Sequence, residues 1–258
     1  MDNINLPELL EAVREWAREA GEIQLRYFRS KELDIETKYN DYDVVTQADK
    51  LSEACIINHI RERFPDHDIL SEESGEETHQ SRWRWVIDPL DGTTNYSAGL
   101  PVFAISIALE DCHQAVLGVV FAPYTGEMFC AIKGLGATLN GKPLHCSSKD
   151  AISGAVVSTG LPVRKKEDSD NNLDNLCRVA TEVRGLRRLG SAAIDLCYTA
   201  AGFLDGFWEL GLHRWDVAAG MLIAAEAGAH VELFRPERPY SVIACAPGIY
   251  SRLRGMIE

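Results

Sequence analysis

Residues 86–96 read Val-Ile-Asp-Pro-Leu-Asp-Gly-Thr-Thr-Asn-Tyr. The apolar run predicts a buried strand, and it ends on two aspartates three positions apart. Pro89 fixes its own φ and biases Asp88 toward extended geometry, while Gly92 permits a tight turn or a close backbone approach. Repulsion and desolvation both oppose two like charges at the end of a buried strand unless something positive lies between them. Asp88 and Asp91 can converge there, with the Leu90 carbonyl as a third hard oxygen donor, a set that suits Mg2+ rather than softer metals. A helix or turn opening after Gly92 would point free N–H groups at the same spot and hold a phosphate. An Asp-Pro pair can equally be a loop staple whose carboxylates cap nearby amides, so the motif alone leaves both readings open.

The charge balance narrows the classes of partner. With 39 acidic against 26 basic residues the formal net charge is −13, which disfavours nonspecific contact with nucleic acids or membrane surfaces, both polyanions. An acidic protein acting on an anionic substrate needs cations to reverse the local field. The 7 cysteines are scattered and odd in number, without a Cys-x-x-Cys pair, so neither a disulfide framework nor a zinc site is expected. The amphipathic N-terminus lacks an apolar signal core, and no stretch is long and apolar enough to span a bilayer. The expectation is a soluble, cytoplasmic protein with reduced thiols.

Along the chain, Leu6, Leu9, Leu10, Val13, Trp16, Ala17, Ala20, Ile23 and Tyr27 fall on one helical stripe. A strand-like "LDIE" and a turn-prone "KYNDYDVV" follow, then a second helix N-capped by Thr46 and closed by Pro65. "DILSEESGEETHQS" reads as an acidic loop and "RWRWVID" as the strand into the aspartate motif. Residues 102–133 predict a three-stranded meander, and "GLGATLNGKPLHCSSKD" a turn-rich connection. That connection sets the expected boundary between subdomains 1–148 and 149–258. Beyond it, strands alternate with helices, so the chain passes from α+β to layered α/β organisation.

Two further acidic groups stand out: Glu72 and Glu73 in "SEES", and Asp216 in "RWDVAAG". Taken singly, the first is explained as a solvated loop and the second as a helix N-cap. Taken in order, "EES", "WVIDPLDGTTNY" and "WELGLHRWDVAAGMLIAAEAG" resemble the inositol monophosphatase family of Mg2+-dependent, lithium-sensitive phosphatases, and "DVVTQAD" resembles its Asp-x-Val-Thr-x-x-Asp segment. The resemblance runs from the first helix to about residue 230.

It implies a five-layered α-β-α-β-α sandwich, a homodimer, and hydrolysis of a small-molecule phosphate monoester with two to three Mg2+ ions per site. Glu72, Asp88 and the Leu90 carbonyl would hold the first ion; Asp88, Asp91 and Asp216 the second; Glu72, through water, a third. Thr93 and Asp49 would position the attacking water. The N–H groups of Gly92 and Thr93, with Ser191, would cradle the phosphate. Asp91, Ala192 and Glu209 would contact the substrate's hydroxyls.

Four carboxylates, from Glu72, Asp88, Asp91 and Asp216, roughly neutralise two divalent cations before substrate arrives. Thr94-Asn95 replaces the Lys-Glu of related nucleotide 3′-phosphatases, which argues against a bisphosphonucleotide. Histidinol-phosphate and fructose-bisphosphate phosphatases use nearly the same metal site and remain alternatives, and Arg184, Arg187 and Arg188 could read a second phosphate. His213 is read as lining the site without a proton-transfer role, and Lys38 as a cation near Glu72. "FRPERPY" departs from the Gly-Pro turn of many relatives. A regulatory binding protein that retains the fold is the rival from another class.

Overall fold

A computed structural model describes residues 4–30, 35–37, 44–162 and 169–258. Lys38 and Asp43 lie outside the described residues. The first stripe forms α1 (Leu6–Tyr27), with Pro7 in its first turn, where no intrahelical N–H is needed. Leu9, Val13, Trp16, Ala17 and Ala20 are buried as the spacing predicts, but the stripe continues through Gly21 and Gln24 and leaves Ile23 only partly buried. Two contacts explain the departure. A β-carbon at Gly21 would lie 2.6 Å from the Phe121 ring, and the Gln24 amide donates to the Pro89 carbonyl at 2.6 Å.

Strands β1 (Ile35–Thr37) and β2 (Val44–Thr46) pair antiparallel and lead into α2 (Gln47–Arg63). Thr46 caps it: its hydroxyl accepts from Ala48 N–H at 3.2 Å, while the Asp49 carboxylate accepts from Thr46 N–H at 2.8 Å. This reciprocal box satisfies donors that a bare helix start would leave orphaned.

The expected acidic loop is instead a hairpin of β3 (Asp68–Ser71) and β4 (Gly75–Glu77). Its alternating burial supports β3, with Ile69 and Ser71 inward, a signal too short to outweigh the acidic composition when read alone. β5 (Trp83–Asp91) is followed by α3 (Thr93–Ser97) and by the meander β6 (Ala104–Asp111), β7 (Gln114–Ala122) and β8 (Glu127–Ile132). The turn-rich connection adds two short strands, β9 (Ala137–Leu139) and β10 (Lys142–Pro143). Together they make an eight-stranded sheet ordered β10-β9-β8-β7-β6-β5-β3-β4.

The remainder comprises β11 (Val156–Thr159), α4 (Leu173–Ala180), β12 (Gly185–Arg187), α5 (Ala192–Ala200), β13 (Gly206–Glu209), α6 (Arg214–Glu226), β14 (His230–Leu233), β15 (Val242–Cys245) and α7 (Tyr250–Arg254). Its five strands form a second sheet ordered β12-β11-β13-β15-β14. β11 is parallel to β12 and β13, whereas β15 is antiparallel to both its neighbours.

Three buried clusters define the layering. Side chains of α1 and α2 pack on one face of the large sheet, around Trp16, Ile56, Trp85 and Ile107. Its other face, with Val86, Ala108 and Val120, meets α5 and α6, which also cover Phe207 and Ala244 of the second sheet. Val157, Trp208 and Ile243 on the far face of that sheet pack with Val179 of α4 and Leu253 of α7. The sequence is helices, sheet, helices, sheet, helices: the five-layered sandwich. Because the middle helices are covered on both sides, they are nearly all apolar; Ala218, Ala219, Gly220, Ile223 and Ala224 of α6 are all buried.

Candidate active site

The two aspartates are brought together by a bulge. Against β6, Asp88 faces Ser106 and Asp91 faces Ala104, so three steps on β5 match two on its neighbour. The extra residue breaks the ladder where Pro89 has no N–H to contribute. Leu90 N–H donates to Asp88 Oδ1 at 3.0 Å, and the Pro89 carbonyl is held by Gln24. Gly92 then turns the chain at φ +94°; a β-carbon there would sit 2.8 Å from the Val102 carbonyl.

Glu72 reaches this point through pairing between β3 and β5. Those strands run parallel with Ser71 beside Ile87, and Glu72 N–H donates to the Ile87 carbonyl at 3.2 Å. Glu72 is thus the next residue along, beside Asp88. The turn carrying it is clamped by the buried Glu53, whose carboxylate accepts from the Ser71 hydroxyl, from Glu73 N–H at 3.2 Å and from Ser74 N–H at 3.1 Å. Asp216 lies in the first turn of α6, accepting from His213 N–H at 2.6 Å. Asp91 accepts from the Ser191 hydroxyl at 2.6 Å and from Ala193 N–H at 2.7 Å. Ser191 is the N-cap of α5, and Ala192 is its buried first residue.

The electrostatics are those of crowded carboxylates. Asp88 is 1% exposed, and its pKa is pushed well above the usual range, first by burial and then by Glu72, Asp91 and Asp216. Asp216 is raised in the same direction by burial and then by Asp91. Burial raises Asp91 to about 6 despite opposing hydrogen bonds from Ser191, Ala193 and Ala192. No Lys or Arg is among the groups acting most strongly on these three. A crowded set of oxygen donors fits hard divalent cations. Among the described residues, no three of these carboxylates bring ligand oxygens within 4.8 Å of one another.

Beside them, the Thr93 hydroxyl lies 3.1 Å from Asp49 Oδ1 and 3.0 Å from the Leu90 carbonyl. Asp49 is fully buried, and burial raises its pKa to about 6 against the opposing hydrogen bonds from Thr46. Glu209 ends β13 with its carboxyl group lying over Gly160: a β-carbon at 160 would be 1.9 Å from Glu209 Oε1. Its pKa is driven well up by burial and then by Asp195, Asp216 and Asp91, with Arg188 opposing.

Of the three arginines considered above, Arg184, Arg187 and Arg188 are all exposed, but Arg188 folds back over the site loop. A β-carbon at Gly190 would lie 2.5 Å from its Nη1. His213 is exposed, and its ring stacks on Trp215 at 4.7 Å.

Four supporting residues escape a reading by motif. Gln24 falls outside the predicted stripe and is buried by its bond to the distant Pro89 carbonyl. Asn95 donates to the Val102 and Leu189 carbonyls, each at 2.8 Å, tying the motif to the α5 approach. Glu53 and Gly160 carry no local signal, since their partners are distant in sequence.

The family model described as the inositol monophosphatase family matches residues 5–254. The chain belongs to the inositol monophosphatase family. It is 40% identical over 260 residues to Nus factor SuhB of Pasteurella multocida, covering 98% of this chain and 96% of that one. It is 40% identical over 230 residues to the inositol-1-monophosphatase of Mesorhizobium japonicum, covering 89% and 84%. The crystal structure of the extragenic suppressor protein suhB of Bartonella henselae superposes with a TM-score of 0.91 at 36% identity, covering 96% of this chain and 98% of that one. Inositol monophosphatase relatives thus share both the sequence and the layered fold. Among the described residues no helix is long and apolar enough to cross a membrane.

Proposed function

We propose that the protein is a Mg2+-dependent phosphomonoesterase that hydrolyses myo-inositol 1-phosphate or a similar polyol monophosphate. The observation that supports this most is the meeting of Asp88, Asp91, Asp216 and Glu72, residues from three separate stretches of chain, beside the Thr93–Asp49 pair. In this reading Glu72, Asp88, Asp91, Asp216 and the Leu90 carbonyl hold two to three Mg2+ ions. When bound, the ions supply the Lewis acidity and positive charge that an in-line displacement at phosphorus requires.

The chain's own groups do the rest. Thr93 accepts from the attacking water and passes its own proton toward Asp49, whose carboxylate is fixed by Thr46. Gly92 and Thr93 N–H, with Ser191 at the start of α5, bind phosphoryl oxygens. Glu209 and Ala192 border the polyol, where a carboxylate accepts from vicinal hydroxyls. Residues 1–148 would form the half carrying Glu72 and the aspartate motif, and residues 149–258 the half carrying Glu209 and Asp216, in a cytoplasmic homodimer.

Arg188 favours a second reading, in which a substrate with two phosphate groups is also accepted. The name Nus factor SuhB borne by relatives points to a binding role as the rival. The intact carboxylate set supports hydrolysis instead.

The test is phosphate release from inositol 1-phosphate, fructose 1,6-bisphosphate, histidinol phosphate and adenosine 3′,5′-bisphosphate, with and without Mg2+. Inositol 1-phosphate should give the highest kcat/KM, and Asp91→Asn should abolish turnover. Turnover unaffected by Mg2+ removal or by Asp91→Asn would overturn the proposal.

A further inference from the structure

On the outer helical layer, away from the carboxylate cluster, α1 and α2 bring together three side chains of a different chemistry. Cys55 and His59 are one turn apart on α2 and therefore share a face. Glu19 projects from α1 between them. Its Oε2 lies 2.8 Å from His59 Nε2 and 3.9 Å from Cys55 Sγ, and the three candidate ligand atoms are all within 4.8 Å of one another. They are the one such group of His, Cys, Asp and Glu among the described residues. Trp16 stacks on the His59 ring at 5.5 Å with planes 4° apart. The stacked ring has its Nε2 toward Glu19.

One thiol, one imidazole and one carboxylate make a mixed sulfur, nitrogen and oxygen set. Such sets select borderline-soft cations such as Zn2+, whereas Mg2+ prefers oxygen ligands alone. Zinc bonds of about 2.0–2.3 Å in a tetrahedron require ligand atoms about 3.3–3.8 Å apart. The observed separations bracket that range, so small side-chain rotations suffice. The Glu19 and His59 side chains are 53% and 31% exposed, leaving water access for a fourth ligand. Sequence spacing could not reveal the group, because Glu19 is contributed by another helix.

We propose that Glu19, Cys55 and His59 form a site for a borderline-soft divalent cation of the Zn2+ class, which clamps α1 to α2. Binding releases the Cys55 thiol proton to solvent and replaces the hydrogen bonds at Glu19 with metal bonds. The clamp stands behind the candidate active site. Gln24, five residues beyond Glu19 and about 7.5 Å along the helix, holds the Pro89 carbonyl, and Asp49, in the first turn of α2, meets Thr93. An ion bridging the helices would brace both supports from outside.

The probe is Co2+, titrated into the full chain under reducing conditions with Mg2+ in large excess. A thiolate-to-cobalt charge-transfer band in the near ultraviolet is the expected signal, since an oxygen-only cluster cannot produce one. The band should saturate at one equivalent, vanish in Cys55→Ser and weaken at least about tenfold in Glu19→Gln, a loss of one ligand of the kind that costs about 1.4 kcal/mol or more. It should persist when the exposed Cys112 or Cys177 is changed to Ser. In parallel, Zn2+ should raise the Tm of the parent chain but not of Cys55→Ser. If Cys55→Ser does not fold, His59→Gln replaces it with the same expected loss. No band in the parent chain, or a band undiminished by these substitutions, would overturn the proposal.

Discussion

Asp195 offers a quantitative test of how the middle layer was built. It lies in α5, is 1% exposed, and its Oδ1 has no hydrogen-bond partner among the described residues. Burial lifts its pKa from 3.8 to about 8, with Asp91 adding to the rise and Ser158 and Arg188 opposing it. Between those values the folded protein keeps a proton that the unfolded chain has released. Unfolding free energy therefore falls as pH rises through the window, by about 1.4 kcal/mol per unit. At neutral pH the accumulated loss is about 4 kcal/mol.

Asp195→Asn has nearly the same shape and no proton to hold, so it removes this slope. In urea denaturation with chelator present, the variant should match the parent near about pH 4 and exceed it by up to about 4 kcal/mol near about pH 7. A gap independent of pH, or a variant less stable at neutral pH, would show that the fold accommodates an ionised Asp195 and would refute the argument.

Thr93→Ala and Asp49→Asn should each lower kcat by about 10²–10⁴-fold with a smaller change in KM, measured by steady-state phosphate release on inositol 1-phosphate. Gly160→Ala should evict the Glu209 carboxyl group, which a β-carbon would meet at 1.9 Å; a loss of about 10–100-fold in kcat/KM for the polyol ester, with p-nitrophenyl phosphate little affected, is the expected result for one charged hydrogen bond. Glu110 is fully buried between Arg84, at 2.6 Å, and Arg214 at the start of α6. Glu110→Gln should cost about 3–5 kcal/mol, read as a lower urea midpoint.

Much of the local structure was legible because its causes lie within a few residues. The Thr46–Asp49 box, Pro7 in a first turn, the meander and the unusually apolar α6 follow from neighbours in sequence. The hairpin around Glu72 is not legible in sequence because β3 has only four residues, too few for alternation to outweigh the acidic composition. The helical period points Ile23 inward where Gln24 is buried, since it cannot anticipate a carbonyl waiting 65 residues away. Lys38 falls outside the described residues and is not placed.

By itself, then, the sequence determined the family and the order of the longer helices and strands, because each is written in spacing and residue type. Only tertiary structure decided that Glu72 lies beside Asp88, that Glu209 rests on Gly160, and that Glu19 meets Cys55 and His59. Those contacts depend on strand register and helix packing, which are set by the burial of whole faces rather than by any nearby residue.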